Sequence, residues 1–348
     1  MTVTRAKEPA IAPAHLPAKR SWLETLLRAR EISLVVLIVV LVAITTGRHH
    51  DFLFSSGGWR ELLRQPTILI LIGVGEAMVI ITRNIDVSVG SIVGLTTYFA
   101  GWLFHNVDGI PIVVVVACAI AMGALLGLFN GVLVAFLNVP SLVITLGTLY
   151  AYRGIAVLWI GGNFIRPVWL PDSFKRLGTA RLFSIPVLLL TVLVVVLLVG
   201  WFMTSRRHGR DLYAVGSNPE AAILYGLRTR PVILLTFGCS GALAGLAGIV
   251  YLAIYATGDS QVGSGYELQA VAAAVVGGVA IVGGSGTIWG VALGAFFLAT
   301  ISSALPVLGI SSLWQQAVVG IFIVVAITLD RVLALRRARA AIAQRNRR

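Results

Sequence analysis

The 348-residue chain is 58% hydrophobic and only 12% charged, against roughly 25% charged in a soluble domain, which excludes a water-soluble globular protein and makes it polytopic in a membrane. Its net charge of +13 sits in two termini and one internal segment flanking apolar runs, where Lys and Arg set orientation and do not mark nucleic acid as a partner. The two cysteines, Cys118 and Cys239, lie inside apolar runs, so they read as packing residues and not as a disulfide framework or a zinc site.

Residues 1–30 form a polar tail without the apolar core and cleavage site of a secretory signal. Arg5, Lys7, Lys19, Arg20, Arg28 and Arg30 place it in the cytoplasm. Candidate spans follow at 32–46, 66–82, 87–105, 111–136, 140–161, 183–204, 231–257, 267–282, 287–306 and 314–330, each near the ~20 apolar residues a bilayer needs or somewhat shorter. The expectation is an all-α, polytopic transmembrane helical bundle of about ten spans occupying residues 31–330. Residues 331–348 form a basic tail, and with an even number of spans both termini are cytoplasmic. Threaded this way, the outer links hold Arg48, Arg60, Arg64, Arg166, Lys175, Arg176 and Arg181, a minority of the 27 Lys and Arg. That bias supports the orientation.

Spans three, eight and nine are weakly apolar and rich in Gly, Ser and Thr, which lets helices approach closely in the interior. Gly123-x-x-x-Gly127-x-x-x-Gly131, Gly241-x-x-x-Gly245 and Gly286-x-x-x-Gly290-x-x-x-Gly294 read as further packing faces. Spans two to five and seven to ten are both four-span blocks offset by five, so a relation between them would be an inverted repeat.

Charge inside the spans is the strongest pointer to function, because a bilayer resists it by ~2.5–3.5 kcal/mol or more per group. Glu76 lies ten residues below Pro66, about 15 Å at ~1.5 Å per residue, and Arg153 thirteen above Pro140, about 20 Å. Their depths are similar, so they are expected to pair or to share a polar network. Glu76 then reads as a solute contact or as a structural partner for Arg153, and Arg153 equally as a brace for the fold. Asp86 and Ser88 stand where the first inner turn meets span three, either as a helix N-cap or as a shaped bend beside the transport path. Asn130 and Thr145 join them as polar positions within spans.

The polar segment Ser205–Arg230 carries five arginines against Asp211 and Glu220, which puts it on the cytoplasmic side. Asn218-Pro219-Glu220 reads as N-cap, first helical position and dipole-favoured acid, and Gly226 ends the helix. So short a helix must be braced by packing, as a docking element would be.

The run GRDLYAVGSNPEAA from Gly209 to Ala222, ending at Gly226, resembles the ATPase-coupling loop of ribose-type ABC importer permeases. Ile85–Ser91 (IDVSVGS), Pro140–Gly154 (PSLVITLGTLYAYRG) and Gly265–Gly286 (GYELQAVAAAVVGGVAIVGGSG) agree with that family, covering roughly residues 68–330. Within it, Arg83–Ser91 and Gly147–Gly154 resemble autoinducer-2 and rhamnose permeases. The resemblance implies that Gly209, Gly216, Asn218, Glu220, Ala221, Ala222 and Gly226 couple to an ATPase. It implies a multi-pass protein of the bacterial inner membrane, importing a sugar-like solute by alternating access. Its partners would be a second permease subunit, two cytosolic ATPase subunits and an extracytoplasmic solute-binding protein, with membrane lipid around it. Its own chemistry is non-catalytic: none of Lys7, Lys19 and Lys175 follows a glycine as a P-loop requires, so ATP and Mg belong to the partner subunits. The scattered histidines suggest no metal site, and Gly284-x-Gly286-x-x-x-Gly290 joins two spans without the strand a dinucleotide loop needs. The competing class is an ion-gradient secondary transporter, which several membrane carboxylates would favour.

Overall fold

The computed structural model describes residues 30–328 apart from positions 56, 138, 312, 315, 319, 322, 323, 326 and 327. The expected N-terminal tail up to residue 29, the basic tail 331–348 and parts of the last expected span lie outside the described residues. In chain order the helices are α1 (Arg30–Arg48), α2 (Asp51–Phe54), α3 (Gly58–Arg64), α4 (Pro66–Ile81), α5 (Val89–Asn106), α6 (Ile112–Leu137) and α7 (Ser141–Ile160). After these come α8 (Asp172–Thr179), α9 (Val187–Ser205), α10 (Arg207–Ser217), α11 (Pro219–Leu224), α12 (Thr229–Tyr255), α13 (Tyr266–Val276) and α14 (Ile288–Val307). The only ladder among the described residues is a two-residue antiparallel hairpin, β1 (Arg181–Leu182) on β2 (Ile185–Pro186), with Arg181 opposite Pro186.

The axis of the bundle is α4. Pro66 takes its first position, where a missing N–H is no loss. The run TILILIGVGEAMVII is apolar on every side, so it needs neighbours on every side. All 16 of its residues are buried, enclosed by α12, α13, α14 and α9. Around this axis α12 lies along α6, and here the glycine faces meet each other. A Cβ on Gly241 would run into the Gly123 carbonyl, and one on Gly127 into the Phe237 carbonyl. Backbone approach of this kind supplies the dispersion energy that lipid does not, so these two faces are packing surfaces. Gly290 and Gly294 seat α14 against Ala273 and Gly277 in the same way, whereas Gly286, at φ 148°, lies in the loop before α14.

Among the described residues, seven helical stretches are long and apolar enough to cross a membrane: 31–48, 58–81, 112–137, 141–160, 187–205, 229–255 and 288–307. The expected third span coincides with α5, 18 residues or about 27 Å, which is largely buried in the bundle and less apolar than these seven. The expected eighth span is corrected: α13 has only 11 residues, about 16 Å, and the chain turns at Gly277 and Gly278. Hydropathy extended the span through 282 because the turn is made of Gly, Val, Ala and Ile. The link 47–64 holds α2 and α3, and the sixth span begins at Val187, not 183, because the β1–β2 hairpin precedes it.

Candidate functional site

The segment 205–230 contains two helices where one was expected. α10 buries Gly209, Leu212, Val215 and Gly216, spaced three or four apart, so it is an amphipathic helix laid on the bundle. α11 begins as the sequence requires: the Asn218 side-chain oxygen accepts the Ala221 N–H at 3.0 Å, capping the helix behind Pro219. It ends at Gly226, whose φ of 80° is left-handed and suits a residue without Cβ. Ala222 is buried, Ala221 half-buried and Glu220 exposed. Ile223, Leu224 and Tyr225 protrude, the latter two 88% exposed. These three were missed from sequence; an apolar triplet at the tip of a polar segment was the signal.

Three chain segments converge beneath these helices. Arg83, at φ 65°, turns the chain after α4, and its guanidinium donates to the Gly216 and Ser217 carbonyls at 2.5 Å each. A cation thereby covers the C-terminal carbonyls of α10, where the helix dipole favours it. The Gly284 N–H donates to the Ile81 carbonyl at 2.9 Å. Tyr213 donates to the Gly286 carbonyl at 3.1 Å, and burial pushes its phenol up, which keeps it a donor. Gly216 sits at the point of closest approach: a Cβ there would run into the Ile81 carbonyl oxygen and lie 2.7 Å from the Gly284 nitrogen. Gly209 plays the same part against the Phe202 carbonyl of α9. The segment is thus fastened directly to the end of the central helix.

Five of the six intramembrane polar candidates meet in one network. The Asp86 N–H donates to Glu76 Oε1 at 3.1 Å. Asp86 Oδ1 accepts the Ser88 N–H at 3.0 Å and the Ser88 hydroxyl at 2.6 Å. Asn130 donates to Ser88 Oγ at 2.7 Å and accepts from Tyr152 at 3.2 Å. Thr145 donates to the Ile85 carbonyl at 3.1 Å, while Ser141 Oγ accepts the Ile85 N–H at 3.0 Å. Glu76, Asp86, Ser88, Asn130 and Thr145 are all fully buried. Ser88 is the first residue before α5 but its side chain makes no capping bond. The bend from 82 to 88 is therefore held by α4, α6 and α7, as buried irregular backbone at membrane depth must be. Ser141 and Tyr152 were not singled out from sequence.

Arg153 does not join this network, and the expected Glu76–Arg153 pairing is corrected. Its Nη1 donates to the Val262 carbonyl at 2.8 Å and the Ser260 carbonyl at 3.3 Å, and Glu267 is the acid whose charge bears on it. The loop between α12 and α13 dips to α5, where a Cβ on Gly94 would run into the Val262 carbonyl. Arg153 braces this loop. Arg153→Met should destabilise the purified protein by about 2–4 kcal/mol, the cost of two unpaired carbonyls, and Arg153→Lys by less. A melting curve for the Met variant that overlays the wild type would refute this role.

Residues 60–327 match the family described as branched-chain amino acid transport system / permease component. The chain is 39% identical over 309 residues to the autoinducer 2 import system permease protein LsrC of Enterobacter sp. (strain 638), covering 88% of each chain. It is 37% identical over 301 residues to LsrC of Escherichia coli O9:H4 (strain HS), 86% of each. With LsrC of Salmonella paratyphi B it shares 40% over 265 residues, 76% of this chain and 75% of the relative. No solved structure matches significantly.

Proposed function

The chain belongs to the branched-chain amino acid transport system permease component family, and from that membership we propose that it carries a small sugar-like solute of the autoinducer-2 class through the inner membrane. It is a membrane-spanning permease component of an ABC importer. The observation that carries the choice of solute is the 39% identity, over 88% of both chains, to a permease named for autoinducer 2 import. Ribose and rhamnose, of the same sugar-like class, are the alternative solutes.

The mechanism proceeds from the junction beneath α10 and α11. Of two cytosolic ATPase subunits, one takes up the protruding Ile223–Leu224–Tyr225 tip and the other docks on the second permease subunit. Closure of the ATPase dimer on ATP and Mg pushes α11 and α10. The bonds from Arg83 to the α10 carbonyls carry that displacement into α4, and the spans rearrange to alternate access, with a binding protein delivering solute from the far side. On this reading both termini and the segment 205–230 face the cytoplasm, as the excess of Lys and Arg there favours. The permease itself hydrolyses nothing.

The test is to purify the permease with its native partners in proteoliposomes and measure ATP hydrolysis and uptake together. Autoinducer 2 with its binding protein should accelerate hydrolysis and accumulate inside. Uptake that persists without ATP and collapses with an ionophore would establish a gradient-driven transporter instead.

A further inference from the structure

At the end of α4 opposite the Arg83 junction a cavity of about 970 Å³ opens among α2, α3, α4, α12, α13 and α14. That is the upper end of the ≈ 300–1,000 Å³ range of small-molecule sites, enough for a solute and part of its water shell. We propose that it is the receiving site for a neutral polyhydroxylated solute, an inference that rests on the importer reading above and assigns that reading its binding residues.

Chemistry of the lining sets the class. Tyr255 and Tyr266 bring aromatic faces with polar tips, Gln65 and Gln269 bring amides, Ser303 brings a hydroxyl, and Ile68 of α4 contributes to an apolar floor. Amides and hydroxyls donate and accept at once, which suits the hydroxyls of a sugar, and phenol rings cover its apolar ring face. The polar groups are fixed before solute arrives. Tyr255 donates to Gln65 Oε1 at 3.2 Å, the Gln65 amide donates to Glu61 Oε1 at 2.7 Å, and Glu61 is held by Arg64 at 2.7 Å. No lysine or arginine lines the cavity among the described residues, and the carboxylates of Asp51 and Glu61 do. Among the described residues, His49 is the one member of this lining that can carry a positive charge, against two carboxylates, so the lining favours a neutral solute over an amino acid carboxylate or a sugar phosphate.

The site is built on elements tied to the junction. α13 is a half-helix whose first turn carries Tyr266 and Gln269 into the cavity, and the loop before it is the one Arg153 holds. Gln65 immediately precedes α4, the helix that ends at the junction. Occupancy at one end of α4 and ATPase movement at the other thus bear on one rigid element.

The experiment uses the assembled transporter in proteoliposomes with Cys118 and Cys239 replaced by alanine and Ser303→Cys as reporter. A membrane-impermeant thiol reagent applied from outside is expected to label Ser303→Cys. Autoinducer 2, L-rhamnose or D-ribose, whichever the wild type takes up, should slow labelling about tenfold, while leucine and ribose 5-phosphate should not. Gln269→Leu should raise the half-saturating solute concentration for uptake about fivefold, the loss of one neutral hydrogen bond. ATP-dependent uptake with an unreactive or unprotected Ser303→Cys would overturn the site alone. Protection by leucine or the phosphate would overturn its chemical class. Absence of ATP-dependent uptake in the wild type would overturn both the site and the importer reading.

Discussion

Gly216→Val should abolish solute-stimulated ATP hydrolysis and uptake while the protein still reaches the membrane. The first atom of any side chain at this position would run into the Ile81 carbonyl oxygen, and backbone on the other side, at Gly284, leaves no path of relief. Overpacking of this kind costs typically 1–3 kcal/mol in a core. Here it falls on the contact between α10, the end of α4 and the Gly283–Gly286 loop, so the segment must lift off the bundle and lose its bonds to Arg83. Neighbouring glycines calibrate the effect. Gly226 has open space around it but sits at φ 80°, so Gly226→Ala should cost about 1–2 kcal/mol of turn strain and leave uptake measurable. Co-purification with the ATPase subunits separates the outcomes: Gly216→Val should weaken association or leave it intact with hydrolysis no longer answering to solute. Wild-type uptake in Gly216→Val would refute the junction's role.

What the sequence disclosed depended on whether the relevant physics is local. The Asn218 cap, Pro219 and the terminal Gly226 are decided within a few residues, and the helix they specify appears where expected. α10 was overlooked although its buried positions 209, 212, 215 and 216 follow a helical period. Two of those four are glycines, which carry no hydropathic weight. The termination of α13 was hidden for the opposite reason: its turn is apolar and looked like more helix. Position along the helix was also readable: Glu76 lies within α4 and is fully buried, and Arg153 lies within α7 and is half-buried. Azimuth was not. Which way a side chain points around its helix depends on tertiary packing, and the partners of Arg153 lie on a loop that hydropathy assigned to the outer link. The polar network around Asp86 was recognisable as a collection of interior polar residues, but its closure through Ser141 and Tyr152 required knowing that α7 runs beside the 82–88 bend.

The corrected partnership makes a second large effect measurable. Glu76 and Asp86 are two acids side by side at zero exposure, each with one oxygen lacking a hydrogen-bond partner. Asp86 Oδ1 holds two donors from Ser88, and Glu76 holds the Asp86 N–H. Asp86→Leu would strand both Ser88 donors in a dry interior, at about 1–3 kcal/mol for each unpaired group, and should leave little folded transporter in the membrane. Asp86→Asn keeps an oxygen for Ser88 and adds an amide that can donate to Glu76, so it should be tolerated far better. The amide substitutions then allow a double-mutant cycle, read in stability and in uptake. Glu76→Gln with Asp86→Asn should deviate from additivity by about 0.5–3 kcal/mol, because either amide alone already replaces an acid–acid contact with a donor–acceptor one. Glu76→Gln with Arg153→Gln should add to within about 0.5 kcal/mol, since the two share no partner. The reverse pattern, with coupling to Arg153 and none to Asp86, would mean that the transporter at work uses a different arrangement of α4 and α7 from the one described.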